Sequence, residues 1–540
     1  MKRTTVRGIV RLAVRSGGTS LKAPRPGADD ASAVHGVAPS PTTAIATEAL
    51  LVVGLALAGL LTRWATRSQV LYHWDSVNFA LALEHYDIAA HQPHPPGYIL
   101  YVLLGRLVHT VVGDANGSLV LISVLSSALL VPMAYGLGRD LFDRGTGVYA
   151  ALLTLTAPLV WFYGSVALSY IAELLLTSLI AWLCFHSLLG RRGALLMASL
   201  TLAIAGGIRQ NTLPLLLPLW LFCVVRAEGQ QRLWALLALA VPTVGWGLAM
   251  LHLSGGLGAY LSAVLRQASD TAVTTGLGSG MRILSNWARL SLYALYTLTL
   301  GVAVVPLLLP AVARAPRCHL AQPHWQVLGL WLAPSIAFYS LFVQQAGYAF
   351  TFMMALIVIV AFGLRRASGG AARRMRRRNL VHYALGVVLA CNVTFFVAAP
   401  PFLFGARRQL FSAPSLPAIR HRDASVQERI TFIRHRFDPQ TTIILASTFD
   451  LRLPDYYLRD YQRLRVMAED SADPTAVPLA DAISAVILFD EDLSAAPTGP
   501  SPHAETLPGG VTLRWFERDA DQTLVCTGTT VGLEPMGGNP

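Results

Sequence analysis

A chain of 540 residues that is 54% hydrophobic and only 13% charged, with a mean hydropathy of +0.50, cannot be one soluble core, because soluble chains of this size cover their surface with polar groups. The formal charge of +12 does not point to nucleic acid, since nearly all of it is arginine in a tail, in short loops and in one dense run, the pattern of cytoplasmic segments. None of the five cysteines forms a C-x-x-C pair, so neither a disulfide framework nor a thiolate metal site is suggested.

Residues 1–43 are rich in Arg, Ser, Ala, Pro and Gly without apolar periodicity and are expected to be a disordered cytoplasmic tail. Ala44 to Trp64 is too long for a signal-peptide core and is expected to be an uncleaved span. Further apolar blocks lie near 98–114, 117–138, 146–163, 166–189, 194–208, 212–225, 233–253, 290–311, 326–344, 346–364 and 380–399. The run Arg365, Arg366, Arg373, Arg374, Arg376, Arg377 and Arg378 marks a cytoplasmic side. Arg314 with Arg317, Arg226 with Arg232, Arg191 with Arg192, and Arg139 with Arg144 fall on the same side. Parity then demotes 98–114, which carries Arg106 and His109, to a re-entrant or surface segment. About eleven crossings remain, with the N-terminus inside and the C-terminus outside.

The membrane domain thus runs over 44–399, with an outer loop at 65–97. From Pro400 the composition becomes that of a soluble protein, and 400–527 is expected to be a small extracytoplasmic α/β domain. Val426 to Phe437 predicts a helix capped by Ser425, with Glu428 completing a capping box. Thr441–Ala446, Ala485–Phe489 and Val511–Phe516 predict strands, and 528–540 a frayed tail.

The most informative stretch is Tyr72-His-Trp-Asp-Ser-Val-Asn-Phe-Ala80, followed by His91-Gln-Pro-His-Pro-Pro-Gly-Tyr98. Asp75 stands shortly beyond the first span, and Pro95-Pro96-Gly97 sets a rigid turn into the next apolar block. An ionisable group held against a bilayer is a functional candidate. The bland alternative is that Asp-Ser-Val-Asn opens a short surface helix.

An acidic residue after the first span, then H-P-P-G-Y opening the next segment, resembles the GT-C superfamily. These are multispan glycosyltransferases that use polyprenyl-phosphate sugars, such as the protein O-mannosyltransferases and the aminoarabinose and arabinose transferases. Arg139-Asp-Leu-Phe-Asp143, Ser169-Tyr-Ile-Ala-Glu173 and Gly206-Gly-Ile-Arg209 are similar to later family motifs, in order and in sidedness. The resemblance covers roughly 45–400, with its motifs concentrated in 70–210. It implies a lipid-phosphate sugar donor, an extracytoplasmic glycan, lipid or protein acceptor, and no nucleic acid. Asp75 carries no second acidic neighbour, unlike the Asp-Glu pair of the protein O-mannosyltransferases, which weighs against a protein acceptor.

Within that frame Asp75 is the candidate general base. Glu173 either orients the acceptor, binds a cation with Asp75, or is neutralised by a nearby arginine or histidine. His94 either contacts sugar or phosphate or is purely structural, the motif-closing Tyr98 is a candidate for substrate contact, and His73, His85 and His91 are expected to be solvated. Arg209, in a break between two short apolar blocks, either binds a phosphate through its planar fork or is a snorkelling loop arginine. Arg266, Arg282 and Arg289 stand behind it. Tyr348 either lines the cavity or anchors at the membrane interface. No ligand set demands a metal, and a divalent cation stays open. Asp455-Tyr-Tyr-Leu458 is a candidate surface for acceptor or partner. A transporter or lipid-linked sugar flippase is the competing class, although no internal repeat supports it, and a non-catalytic assembly factor that kept the fold is a third.

Overall fold

The computed structural model describes residues 41–275, 280–298, 322–343, 345–369, 375–398, 414–447, 452–468, 475–477, 479, 481–490, 502–517, 524–526 and 529–532. The tail expected at 1–43, apart from its last three residues, lies outside the described residues, as do the middle of the arginine run and the expected start of the soluble domain. The chain divides into Met1–Ala49, whose described part is the first turns of one helix, and Leu50–Pro540, which holds everything below.

The membrane part is built from helices α1 (Pro41–Thr66), α2 (Trp74–Glu84), α3 (Ile99–Val112), α4 (Ala115–Leu141), α5 (Arg144–Thr156), α6 (Pro158–Tyr163), α7 (Tyr170–Leu188), α8 (Ala194–Ile208), α9 (Thr212–Arg226), α10 (Gly229–Leu253), α11 (Leu257–Thr275), α12 (Gly280–Leu298), α13 (Pro323–Leu341), α14 (Phe350–Gly369) and α15 (Met375–Ala398). Among the described residues five helices are long and apolar enough to cross a bilayer: α1, α4, α7, α10 and Ala346–Arg366, which covers most of α14. Ile99–Val112, Ala194–Ile208, Thr212–Arg226 and His382–Ala398 are apolar but shorter. At 1.5 Å per residue a 15-residue helix reaches about 22 Å, short of the roughly 30 Å hydrocarbon core.

Local chemistry sets these boundaries. The Asp114 carboxylate accepts from the Gly117 amide at 2.5 Å to start α4, and Asp143 accepts from Thr146 at 2.9 Å to start α5. Pro158 and Pro323 open α6 and α13, where a missing N–H costs nothing. Gly206 and Gly207 close α8 where two neighbours press in. A Cβ would stand 2.4 Å from the Leu213 side chain at Gly206 and 2.4 Å from Leu100 at Gly207. The glycine pair therefore lets α3 and α9 close on α8 one turn before Arg209.

The described C-terminal α/β part, the C-terminal domain, holds α16 (Leu416–Arg436), followed by β1 (Thr442–Ser447), α17 (Arg452–Tyr457), β2 (Gln462–Ala468), β3 (Thr475–Val477), β4 (Ala485–Leu488), β5 (His503–Thr506), β6 (Thr512–Glu517), β7 (Leu524–Cys526) and β8 (Thr529–Gly532). The main sheet has the order β5-β6-β4-β1-β2-β8, with β2, β1 and β4 parallel and the outer strands antiparallel. The expected helix starts ten residues earlier than predicted. Ser415 is its cap, accepting from the Ala418 amide at 3.4 Å, with proline in the first turn. Ser425 and Glu428 imitate a start, but the buried stripe Ile419, Val426, Ile430 and Ile433 runs straight through them. The stretch expected to be a frayed tail contributes β8, paired antiparallel with β2 from Arg465↔Gly532 to Ala468↔Thr529.

Candidate functional site

Asp75 is the second residue of α2, so the helix-opening alternative is the one that forms. His73 caps it: its Nδ1 accepts from the Asp75 amide at 3.1 Å, and Ser76 Oγ accepts from the His73 amide at 3.3 Å. The helix is no surface element, since Ser76 to Leu83 are all buried. Nor is His73 simply solvated, as expected; its Nδ1 lies 3.7 Å from Asp75 Oδ2. Of the other two histidines, His91 is half-buried and His85 is exposed.

The Pro95-Pro96-Gly97 turn delivers the next group. Gly97 has φ +120°, and a Cβ there would meet Tyr86 Oη at 2.7 Å, so only glycine fits. Tyr86 Oη donates to the Gly97 carbonyl at 2.8 Å. The turn places His94 Nδ1 3.6 Å from Asp75 Oδ1 and His94 Nε2 3.1 Å from Tyr98 Oη. Phe79 packs against the His94, Tyr98 and Tyr101 rings. Tyr98 in turn lies under the Arg209 guanidinium, 5.3 Å from its ring centroid.

Arg209 stands at the break between α8 and α9, with three tyrosine rings around it: Tyr170 at 4.1 Å, Tyr98, and Tyr348 at 5.9 Å. Its Nη1 donates to Ser169 Oγ at 2.9 Å. Its Nε lies 2.8 Å from Glu173 Oε2, an ion-pair distance, although off the N–H direction of a hydrogen bond. Ser169 and Glu173 are four apart at the start of α7, so one guanidinium spans both. Glu173 Oε1 accepts from Asn211 Nδ2 (3.3 Å), Thr212 Oγ1 (3.0 Å) and Thr351 Oγ1 (3.1 Å). Oε1 thus accepts three hydrogen bonds, while Oε2 faces the Arg209 guanidinium as its cation. The position matches the reading in which an arginine neutralises Glu173.

The electrostatics of the outer loop follow from burial and neighbouring charge. Burial pushes the Asp75 carboxyl up, but His94, His73, Arg209 and His91 together hold it below its ordinary value. Burial pushes His94 towards its neutral form, with Arg209 and His73 adding to the effect and Asp75 opposing it. At neutral pH Arg209 is therefore a cation facing Asp75, with His94 held towards its neutral form.

The six foremost candidates from sequence, Asp75, His94, Tyr98, Glu173, Arg209 and Tyr348, fall in one connected cluster, whereas Arg266 is exposed and Arg282 half-buried on other helices. Sequence reasoning passed over Ser169 and Tyr170, which sit inside a motif it had noted, and Asn211, Thr212, Tyr339 and Thr351. Tyr339 stacks on Tyr348 at 5.9 Å and accepts from Asn211 at 2.9 Å. No sequence signal marks the last four, because hydroxyls and amides are common and only the fold brings them to Glu173. Arg289 is exposed and donates to the Val343 carbonyl at 3.2 Å. Asp455 does not face outwards to a partner; it pairs with Arg452 (3.4 Å) and Arg463 (3.2 Å) within the chain.

No protein-family profile matches the chain, and no curated protein matches it in sequence. Solved structures do. ArnT from Cupriavidus metallidurans bound to undecaprenyl phosphate superposes with a TM-score of 0.52 at 14% identity, over 93% of this chain and 100% of that one. The apo state of the same protein gives a TM-score of 0.49 at 13% identity, over 87% and 98%. The Archaeoglobus fulgidus oligosaccharyltransferase gives 0.46 at 13% identity, over 77% and 64%. The first of these spans both the helical part and the C-terminal α/β part, so the chain shares the fold of that protein.

Proposed function

We propose that the chain transfers a sugar from a polyprenyl-phosphate donor to an acceptor on the outer face of the membrane. The observation that carries this reading is the convergence of a carboxylate, a neutral imidazole and a buried arginine on one aromatic-walled site in a GT-C fold. The undecaprenyl phosphate bound to the similar ArnT supports a lipid-phosphate donor.

A sugar phosphate ester reacts poorly with a neutral hydroxyl. Asp75, ionised and partly shielded from water, accepts the acceptor's proton as its oxygen bonds to the anomeric carbon. The carbon–oxygen bond to phosphate breaks, and its electron pair leaves on the polyprenyl phosphate. Arg209 faces the growing phosphate charge, and Glu173 holds it in orientation. His94 and Tyr98 complete the wall beside the sugar.

Incubating the purified protein with a polyprenyl-phosphate sugar and following donor consumption tests the reading without presupposing an acceptor. Donor that crosses the bilayer unchanged would instead favour the flippase. Mass spectrometry of envelope glycans from a deletion strain then identifies the sugar and acceptor. For sidedness, reporter fusions after Gly369 and Gln440 should report opposite sides of the membrane, the first cytoplasmic and the second outer. Two cytoplasmic signals would overturn the outer placement of the C-terminal domain.

A further inference from the structure

The segment between α1 and α2 is neither helix nor strand, yet Ser68, Val70 and Leu71 are buried. Its amides need acceptors: the Ser68 amide donates to the Ser165 carbonyl at 2.8 Å, and those of Gln69, Val70 and Leu71 find theirs in the C-terminal domain. Asp423 Oδ1, on α16, accepts from Ser68 Oγ at 2.6 Å, the Gln69 amide at 3.0 Å and the Val70 amide at 3.3 Å. Tyr457 Oη, on α17, accepts from the Leu71 amide at 3.0 Å. The His73 cap and Asp75 follow within four residues.

The far side of α2 is held in the same way. Arg452 donates to the Ala90 carbonyl at 2.7 Å, and its guanidinium lies 5.3 Å from the Trp74 ring, the residue before Asp75. Asp455 orients it. Arg459 grips both Glu84 oxygens at 2.5 and 2.8 Å, at the end of α2, although this pair is exposed and contributes little.

We propose that Asp423 and Arg452 are positioning residues, through which the C-terminal domain sets where Asp75 stands. The inference concerns the placement of residues 68–92, and only its kinetic arm rests on the glycosyl-transfer reading. Removing the Asp423 carboxylate leaves the amide of the buried Val70 and that of the exposed Gln69 without this acceptor, and leaves Ser68 Oγ only the Val70 carbonyl at 2.9 Å. The segment then moves to find water, and the cap at His73 moves with it.

The test uses the full-length protein in nanodiscs, with hydrogen exchange over residues 68–92 beside steady-state kinetics. Asp423→Ala should speed exchange at Gln69 and Val70 at least tenfold. It should lower kcat at least tenfold, with the donor KM changed less than about twofold. Asp423→Asn keeps an acceptor oxygen at this place and should restore most of both. Arg452→Ala should loosen the stretch around Ala90 and lower kcat in the same sense, and it carries the test alone if Asp423→Ala does not fold. Faster exchange with unchanged kcat would overturn the positioning role, as would an asparagine variant no better than alanine. Unchanged exchange would overturn the tether itself. A wild type that consumes no donor overturns the functional reading instead, and the exchange arm still decides the tether.

Discussion

Asp75→Asn should lower turnover by at least 10²-fold, about 2.7 kcal/mol of transition-state stabilisation. The amide matches the carboxylate in size but cannot take the acceptor's proton. Donor affinity should change far less, because the loss falls on the transition state. The helix should persist, since its cap rests on His73 and Ser76 rather than on the Asp75 side chain. The pH profile gives an independent check. Because the carboxyl titrates below its ordinary value, wild-type activity should hold until pH falls below the usual aspartate range near about 3.9, and then drop as Asp75 protonates. Near-wild-type turnover in the asparagine variant would remove Asp75 as the base.

Arg209→Ala should be damaging in two separable ways. Arg209 is 4% exposed and its partner Glu173 is fully buried. Breaking a buried pair by removing one partner strands the other charge and costs about 3–5 kcal/mol. The single variant should therefore express poorly or melt early. Pairing it with Glu173→Gln removes the stranded charge and should recover most of the stability, which a thermal-unfolding series reads directly. On that double variant, donor binding should stay weak. Arg209→Lys should retain part of the affinity, because charge survives while the fork that spans Ser169 and Glu173 is lost. Wild-type donor affinity in the double variant would remove Arg209 from the donor site and leave it a purely structural cation.

Much of this was legible in the sequence because charge and turn residues are local signals. Pro95-Pro96-Gly97 announced the turn that brings His94 to Asp75, and the break at Arg209 announced two short helices meeting. The Glu173–Arg209 pair was legible only as an alternative, because proximity between α7 and the α8–α9 turn is a property of packing. The C-terminal domain was harder. Ala485–Leu488 is buried on both faces and stood out as an apolar run, whereas His503–Thr506 is exposed throughout and carries no strand pattern. The start of α16 was missed for a related reason: Ser425 and Glu428 satisfy the capping rule locally, and only the buried stripe on either side shows that the helix continues. Asp455-Tyr-Tyr-Leu458 reads in sequence as a candidate surface for acceptor or partner, since sequence cannot distinguish a surface offered to a partner from one used within the chain.

The bond between Ser68 and Asp423 joins residues 355 positions apart, and this imposes an order in time. A ribosome working at about 5–20 residues per second separates their synthesis by roughly 20–70 s. During that interval the early helices can enter the membrane, but the acceptors for Gln69, Val70 and Leu71 do not yet exist. The protein would therefore mature from its far end. A nascent chain, or one clipped ahead of α16, would present the aspartate without the frame that aims it.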